Sequence, residues 1–202
     1  MYSYIVLDIE TTGFAPNLNE ILEISAYKVI NGVVREKFSR LVKPLGYIPR
    51  SIQEMTGITQ EMVKDADTIE LVLSDFYDFV EDLPFLGHNL QFDYNFIKFK
   101  GKNLGFDFTR NGLRTGICTL DLSRSYLNMN SNKLLDVVKS LNIPICEGRA
   151  HRAEYDVYLT KMLYEYFLIN FPTMYKVCTP VLLDTDSEKY GKAVNTDVLP
   201  LE

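Results

Sequence analysis

The stretch YIVLDIETTGF, residues 4–14, decides how the chain folds. Its first six letters are apolar except for one carboxylate, Asp8, and a second carboxylate, Glu10, follows them, separated from Asp8 by a single isoleucine. Side chains of a β-strand alternate between two faces, so apolar residues on both faces predict a central strand that is buried on both sides. The same alternation places Asp8 and Glu10 on one face, near the carboxyl end of the strand, where α/β proteins usually carry their chemistry.

Two neighbouring carboxylates need an explanation. In a partly buried site they cannot both stay ionised cheaply, unless a cation lies between them or one of them takes up a proton. A hard divalent cation would satisfy both. The alternative is that Asp8 and Glu10 lie past the strand end, where they are solvated or cap a turn at residues 11–13.

Composition favours a globular protein outside the secretory route. The chain has 202 residues, of which 47% are hydrophobic and 24% charged, enough for one domain with a core or one domain plus a tail. No segment has the roughly 18 consecutive apolar residues of a membrane span, and the N-terminus lacks a signal segment. Three cysteines without a CxxC spacing argue against a disulfide framework or zinc knuckle. We therefore expect a cytoplasmic protein with no membrane partner.

The net charge of −6 weighs against a nucleic-acid partner, because such proteins usually show a basic footprint. The objection is weak for a metal-dependent enzyme, since bound divalent cations add positive charge locally. A basic run also lies between two acidic regions, and its members are Lys98, Lys100, Lys102, Arg110 and Arg114. The alternative for this run is a solvated helix end and loop.

Apolar periodicity and turn signals predict the remaining elements. Asn31-Gly32, between two strand-like runs, is a strong hairpin signal, so those strands should pair antiparallel. Strands are predicted at 4–10, 21–30, 33–43, 84–87 and 117–120, and helices at 51–55, 69–83, 89–101, 121–128, 132–142 and 152–170. This order predicts an α/β fold with a mixed sheet, as one domain over residues 1–175 and a tail or linker over 176–202.

Two further clusters carry acids and histidines. In GHNLQFDYNF, residues 87–96, Asn89 is a candidate N-cap and Asp93 falls in the first helical turn. The alternative for Asp93 is simple stabilisation by the helix dipole. In HRAEYD, residues 151–156, His151 and Asp156 can converge only if the histidine precedes the helix that holds the aspartate. A histidine beside fixed carboxylates suits proton transfer.

Together and in this order, the three clusters resemble the motifs of the DnaQ-like, or DEDDh, 3′-to-5′ exonucleases. That family has the ribonuclease H-like fold and contains the proofreading epsilon subunit of DNA polymerase III and the exonuclease domain of PolC. The resemblance covers residues 2–170, with DIETTGF, HNLQFD and HRAEYD at the three motifs and IPRSIQEMTGIT, CTLDLSR and KLLDVVKSLNI between them. Ala150 and Val157 depart from the usual residues without removing a functional group. The sibling subgroup has a tyrosine where this chain has Arg152, so the histidine subgroup fits better.

The resemblance implies a fold and a set of site residues. It implies an α/β ribonuclease H-like fold with a mixed central sheet flanked by helices. Asp8, Glu10, Asp93 and Asp156 would bind two divalent cations, Mg²⁺ or Mn²⁺, and His151 would be the general base. Thr11, Thr12, Phe14 and Asn89 match positions that contact the terminal nucleotide or support the ligands in relatives. A core contact is the alternative for Phe14.

The resemblance also implies a reaction. The chain would hydrolyse phosphodiester bonds from a free 3′ end and release 5′-nucleoside monophosphates, with DNA favoured over RNA and proofreading as the implied role. A DNA polymerase subunit is a candidate partner. The alternatives are an exoribonuclease acting on RNA and a catalytically silent polymerase-docking module of the same fold, docking through residues 180–202.

Overall fold

A six-stranded mixed sheet forms the centre of the computed structural model, which describes residues 3–110, 113, 115–145, 152–171 and 181–183. The strands are β1 (Tyr4–Thr11), β2 (Ile21–Ile30), β3 (Val33–Leu41), β4 (Phe85–Gly87), β5 (Thr115–Cys118) and β6 (Val181–Leu182). Their order across the sheet is β3-β2-β1-β4-β5-β6. β1, β4 and β5 run parallel, whereas the β1–β2, β2–β3 and β5–β6 pairs are antiparallel. The predicted mixed α/β fold is therefore confirmed.

Helices cover both faces of this sheet. They are α1 (Arg50–Thr56), α2 (Gln60–Val63), α3 (Ile69–Val80), α4 (Leu90–Leu104), α5 (Thr119–Tyr126), α6 (Leu134–Ser140) and α7 (Ala153–Asn170). Buried residues of α3 and α4 form one core with one face of β1, and buried residues of α5, α6 and α7 form a second core with the other face. Among the described residues, no helix combines the length and the apolar character needed to cross a membrane.

The central strand β1 has the predicted two-sided burial. Ile5 and Leu7 belong to the core under α3 and α4, whereas Tyr4 and Val6 belong to the core under α7. Burying each such side chain contributes roughly 1.5–3 kcal/mol, so both helical layers depend on this strand. The alternation directs Asp8 and Glu10 toward the α7 face.

The hairpin between β2 and β3 follows the predicted turn. Asn31 and Gly32 have φ angles of 52° and 81°, the left-handed pair that a two-residue turn of this kind requires. Glycine adopts such angles without strain, and asparagine tolerates them better than most residues.

Several element boundaries differ from the sequence prediction. β5 spans 115–118 rather than 117–120, because residues 119 and 120 already belong to α5. α2 was not predicted, because four residues are too few to show a period. In the segment predicted as a tail, β6 pairs with β5 and Leu183 is buried. Residues 184–202 lie outside the described residues, so the role of that segment stays a prediction.

Candidate active site

Three carboxylates converge at the end of β1. Oxygen atoms of Asp8, Glu10 and Asp156 all lie within 4.8 Å of one another. Asp8 and Glu10 come from the same face of β1, and Asp156 comes from the first turn of α7, which packs across that face. The structure thus brings together acids that are about 150 residues apart in the sequence. The alternative that Asp8 and Glu10 lie past the strand end is wrong, because β1 continues to Thr11.

Asp93 approaches this group from the other helical layer: its charge acts on Asp8 and Glu10, although it is not among the acids whose oxygens lie within 4.8 Å of one another. It is only 4% exposed, and its Oδ1 accepts a hydrogen bond of 3.1 Å from the backbone N–H of Ile9. On the same side of β1, the N–H of Ile5 donates to the carbonyl oxygen of Pro84. Because β4 pairs only with Ile5 and Val6, it supplies no acceptor opposite Ile9. Asp93 takes that place and satisfies the donor.

A tight strand-to-helix turn puts Asp93 in reach of β1. A Cβ atom on Gly87 would lie 2.9 Å from Cδ1 and 3.2 Å from Cα of Leu90, so β4 and the start of α4 are in direct contact. Asn89 occupies the predicted N-cap position with a left-handed φ of 67°, but its side chain makes no capping hydrogen bond. The backbone bend at Asn89, rather than a side-chain cap, starts the helix that carries Asp93.

Burial and mutual repulsion raise the pKa values of these acids. Burial raises the pKa of Asp8 well above its ordinary value, and the charges of Asp93, Asp156, Glu10 and Glu23 add to it. Burial, then Asp156, raises the pKa of Glu10 to about 8, and burial raises that of Asp93 to about 8. Such a cluster either holds protons or binds a cation. An all-oxygen donor set suits hard divalent cations such as Mg²⁺ or Mn²⁺.

The other predicted site residues lie around the turn after β1 and at the start of α4. The Thr11 hydroxyl donates to the Gly13 carbonyl over 2.6 Å, and the Thr12 hydroxyl accepts from the backbone N–H of Glu20 over 2.9 Å, so both threonines hold the turn. Phe14 is 73% exposed and contacts the edge of Phe92, with ring centroids 6.4 Å apart. Phe14 is therefore not a core residue.

His151 lies outside the described residues, but its neighbour Arg152 is placed. The Arg152 guanidinium binds the carboxylate of Glu23 through two nitrogens, at 3.1 and 3.3 Å. Glu23 lies directly opposite Glu10 on β2 and is only 2% exposed. The sequence prediction did not single out Glu23, although an acid inside a largely apolar strand was a visible signal.

His88 of the second motif is separate from the acid cluster. Its Nδ1 lies 3.0 Å from the Thr119 hydroxyl and its Nε2 lies 2.9 Å from the Asn132 carbonyl oxygen. Burial lowers the pKa of His88 to about 4, so the ring is neutral near pH 7. His88 therefore ties β4 to α5 and to the loop before α6.

The fold and the acidic site together define an exonuclease domain. The RNase_T family model, described as Exonuclease, matches residues 5–164, and the chain belongs to this family. The resemblance to DnaQ-like exonucleases of the DEDDh type is thereby confirmed.

Curated relatives of this chain include DNA polymerases III of the PolC type. The chain is 39% identical over 167 residues to the PolC-type DNA polymerase III of Thermotoga maritima, an alignment that covers 82% of this chain and 12% of the polymerase. The corresponding Staphylococcus aureus polymerase is 37% identical over 164 residues, covering 80% of this chain and 11% of the polymerase. The chain thus matches about one-eighth of the length of these relatives.

Solved structures similar to this chain include exonucleases. A structure of exonuclease X in complex with 5′ overhanging duplex DNA has a TM-score of 0.65 and 25% identity, covering 84% of this chain and 93% of that one. Escherichia coli exonuclease I in complex with a dT13 oligonucleotide has a TM-score of 0.77 and 19% identity, covering 88% of this chain and 43% of that one. These similarities confirm the ribonuclease H-like fold.

Proposed function

We propose that the chain is a divalent-metal-dependent 3′-to-5′ exonuclease that shortens DNA from a free 3′ end and releases 5′-nucleoside monophosphates. The convergence of Asp8, Glu10 and Asp156 within 4.8 Å, with Asp93 beside them, is the observation that carries this proposal. Burial and mutual repulsion disfavour the ionised carboxylates when no cation is present, so a bound cation would be strongly favoured.

The carboxylates have the first role in this reaction. Asp8, Glu10, Asp93 and Asp156 would hold two Mg²⁺ or Mn²⁺ ions, and Asp8 is central to this set because the other three acids all act on its pKa. When bound, such cations supply an activated water molecule and stabilise charge on the departing 3′-oxygen. The hydrogen bond from the N–H of Ile9 holds one oxygen of Asp93, which leaves its other oxygen for the site.

The remaining predicted residues bind substrate or move the proton. His151 would accept the proton of the attacking water, as the resemblance implies. The exposed ring of Phe14 offers a stacking surface for the terminal base, a contact that tolerates any base. Thr11 and Thr12 shape the turn that presents Phe14, and Asn89 lies at the start of α4 close in sequence to Asp93.

DNA is the favoured substrate, and proofreading is the proposed role. The relatives are DNA polymerases, and two similar solved structures are complexes with DNA. A DNA polymerase subunit, or polymerase segments flanking this domain, would then be the partner. The exonuclease domain would span residues 1–175 together with β6, which pairs with β5, and the other residues of 176–202 would form a tail or linker.

Matched oligonucleotides test this proposal. Single-stranded DNA and RNA of one sequence, labelled at the 5′ end, are digested with the purified chain and Mg²⁺. The proposal predicts a ladder of shortening labelled DNA, slower loss of RNA, and a block by a 3′-phosphate. Faster loss of RNA would identify an exoribonuclease. Intact substrates together with retained DNA binding would identify a silent docking module, and release of the 5′ label first would contradict the direction.

A further inference from the structure

Glu23 occupies an unfavourable position next to the acid cluster. It lies directly opposite Glu10 on the neighbouring strand and is 2% exposed, and like charges in that arrangement are destabilising. Its charge also adds to the repulsion at Asp8 and Glu10. A buried acid that weakens its own strand pair needs a compensating interaction.

The start of α7 supplies that interaction. Arg152 donates from Nη2 to Glu23 Oε1 over 3.1 Å and from Nε to Oε2 over 3.3 Å, and the backbone N–H of Ala153 donates to Oε2 over 3.3 Å. Arg152 is the residue just before α7 and makes no side-chain cap of its own. Glu23 therefore caps this helix from another strand and satisfies a donor that would otherwise be unpaired.

Asp156 lies one helical turn after Arg152 and is hydrogen-bonded to it. Its backbone N–H donates to the carbonyl oxygen of Arg152 over 3.1 Å. A shift of Arg152 would therefore carry Asp156 with it. The guanidinium also acts on Glu10, whose pKa it lowers against the effect of burial and the surrounding carboxylates.

We infer that Glu23 and Arg152 form a positioning pair that holds the first turn of α7 so that Asp156 reaches Asp8 and Glu10 in the geometry that binds a divalent cation. Neither residue contacts the reacting atoms in this role. The inference rests on the proposed metal-dependent function. It assigns to Glu23 a task that is separate from stability and separate from metal ligation.

A second ion pair on the same turn provides a matched control. Lys37 Nζ lies 3.5 Å from Glu154 Oε1, and it joins β3 to the first turn of α7. Both side chains are more than half exposed, at 56% and 52%. An exposed pair at this distance restrains the turn little, so its loss should leave the metal site unchanged.

Calorimetric titration with Mn²⁺ tests the inference without relying on activity. Glu23→Gln keeps the side-chain shape but loses the two-pronged ion pair. We expect its Mn²⁺ dissociation constant to rise about ten- to a hundredfold, the usual loss when a group that supports a metal ligand is removed. Glu154→Gln should stay within about twofold of the parent chain, as for other exposed pairs. At saturating Mn²⁺, kcat of Glu23→Gln should recover toward the parent value.

The double variant Glu23→Gln, Arg152→Met distinguishes positioning of α7 from a direct effect of the Arg152 charge on the metal site. Unlike Arg152→Met alone, it does not leave the buried Glu23 carboxylate without its partner. If positioning is responsible, the double variant stays as weak for Mn²⁺ as Glu23→Gln. Recovery of parental affinity in the double variant, or parental affinity in Glu23→Gln itself, would overturn the inference while leaving the proposed function intact. Failure of the parent chain to bind Mn²⁺ would instead contradict both.

Discussion

Oδ1 of Asp93 accepts a hydrogen bond from the backbone N–H of Ile9, the residue between Asp8 and Glu10. The bond crosses 84 positions in sequence and joins the second motif to the first. It occurs because β4 ends before it can pair with this part of β1. One oxygen of Asp93 thus replaces the missing strand partner of Ile9, while the carboxylate stays close enough to act on Asp8 and Glu10.

Two substitutions of Asp93 separate its structural role from its charge. Asn keeps an oxygen that can accept from Ile9, whereas Ala leaves that N–H unpaired. We therefore expect Asp93→Ala to be less stable than Asp93→Asn by roughly 1–3 kcal/mol in chelator, the usual cost of an unsatisfied buried donor. Both variants should lose nuclease activity, because both lose the carboxylate charge. Urea unfolding measures the difference, and equal stabilities would show that the Ile9 bond contributes nothing.

The contact between Gly87 and Leu90 should be essential for activity. A Cβ at residue 87 would meet the Leu90 backbone at 3.2 Å, so we expect Gly87→Ala to push the start of α4 away from β4, and Asp93 with it. We expect turnover to fall about a hundredfold, because small misplacements of catalytic groups have effects of that size. Gly46→Ala is the matched control, since a Cβ there meets nothing within 4 Å. Similar turnover in both variants would refute the positional role of Gly87.

Stability should depend on pH through His88. Burial lowers its pKa from 6.5 to about 4, so the unfolded chain binds this proton more readily than the folded one. The stabilisation of the folded state that depends on neutral His88 is therefore fully present above pH 6.5 and is lost as the pH falls toward 4. It amounts to about 3 kcal/mol of unfolding free energy at most. His88→Gln keeps a donor toward Asn132 but does not titrate. Urea unfolding between pH 7.5 and 4.5 should show a steeper decline for the parent chain than for His88→Gln, and parallel declines would contradict the assignment.

His151→Ala should lower kcat by roughly 10²- to 10⁴-fold, the usual contribution of a positioned general base. Mn²⁺ affinity should change little, because the proposed role is proton transfer and not metal ligation. Asp156→Ala is the comparison, since it should lose both turnover and metal affinity. A His151→Ala variant that lost Mn²⁺ as severely as Asp156→Ala would show that His151 is a ligand.

The sequence predicted the parts of this site that depend on local alternation. Apolar residues on both faces of 4–10 identified the central strand, and the same period put Asp8 and Glu10 side by side. The Asp93 contact to Ile9 could not be predicted that way, because it depends on the length of β4 in three dimensions. Glu23 was missed for a related reason: its partner, Arg152, lies 129 positions away.

Metal dependence of DNA digestion tests the central claim most directly. Single-stranded DNA labelled at the 5′ end is incubated with the parent chain and with Asp8→Ala, each in Mn²⁺ and in excess chelator. The parent chain should produce a shortening ladder only with Mn²⁺, and Asp8→Ala should produce none. Folding of Asp8→Ala is checked by thermal unfolding in chelator, where its stability should equal or slightly exceed the parent value because one repelling charge is gone. Full digestion in chelator, or by a folded Asp8→Ala variant, would contradict the account.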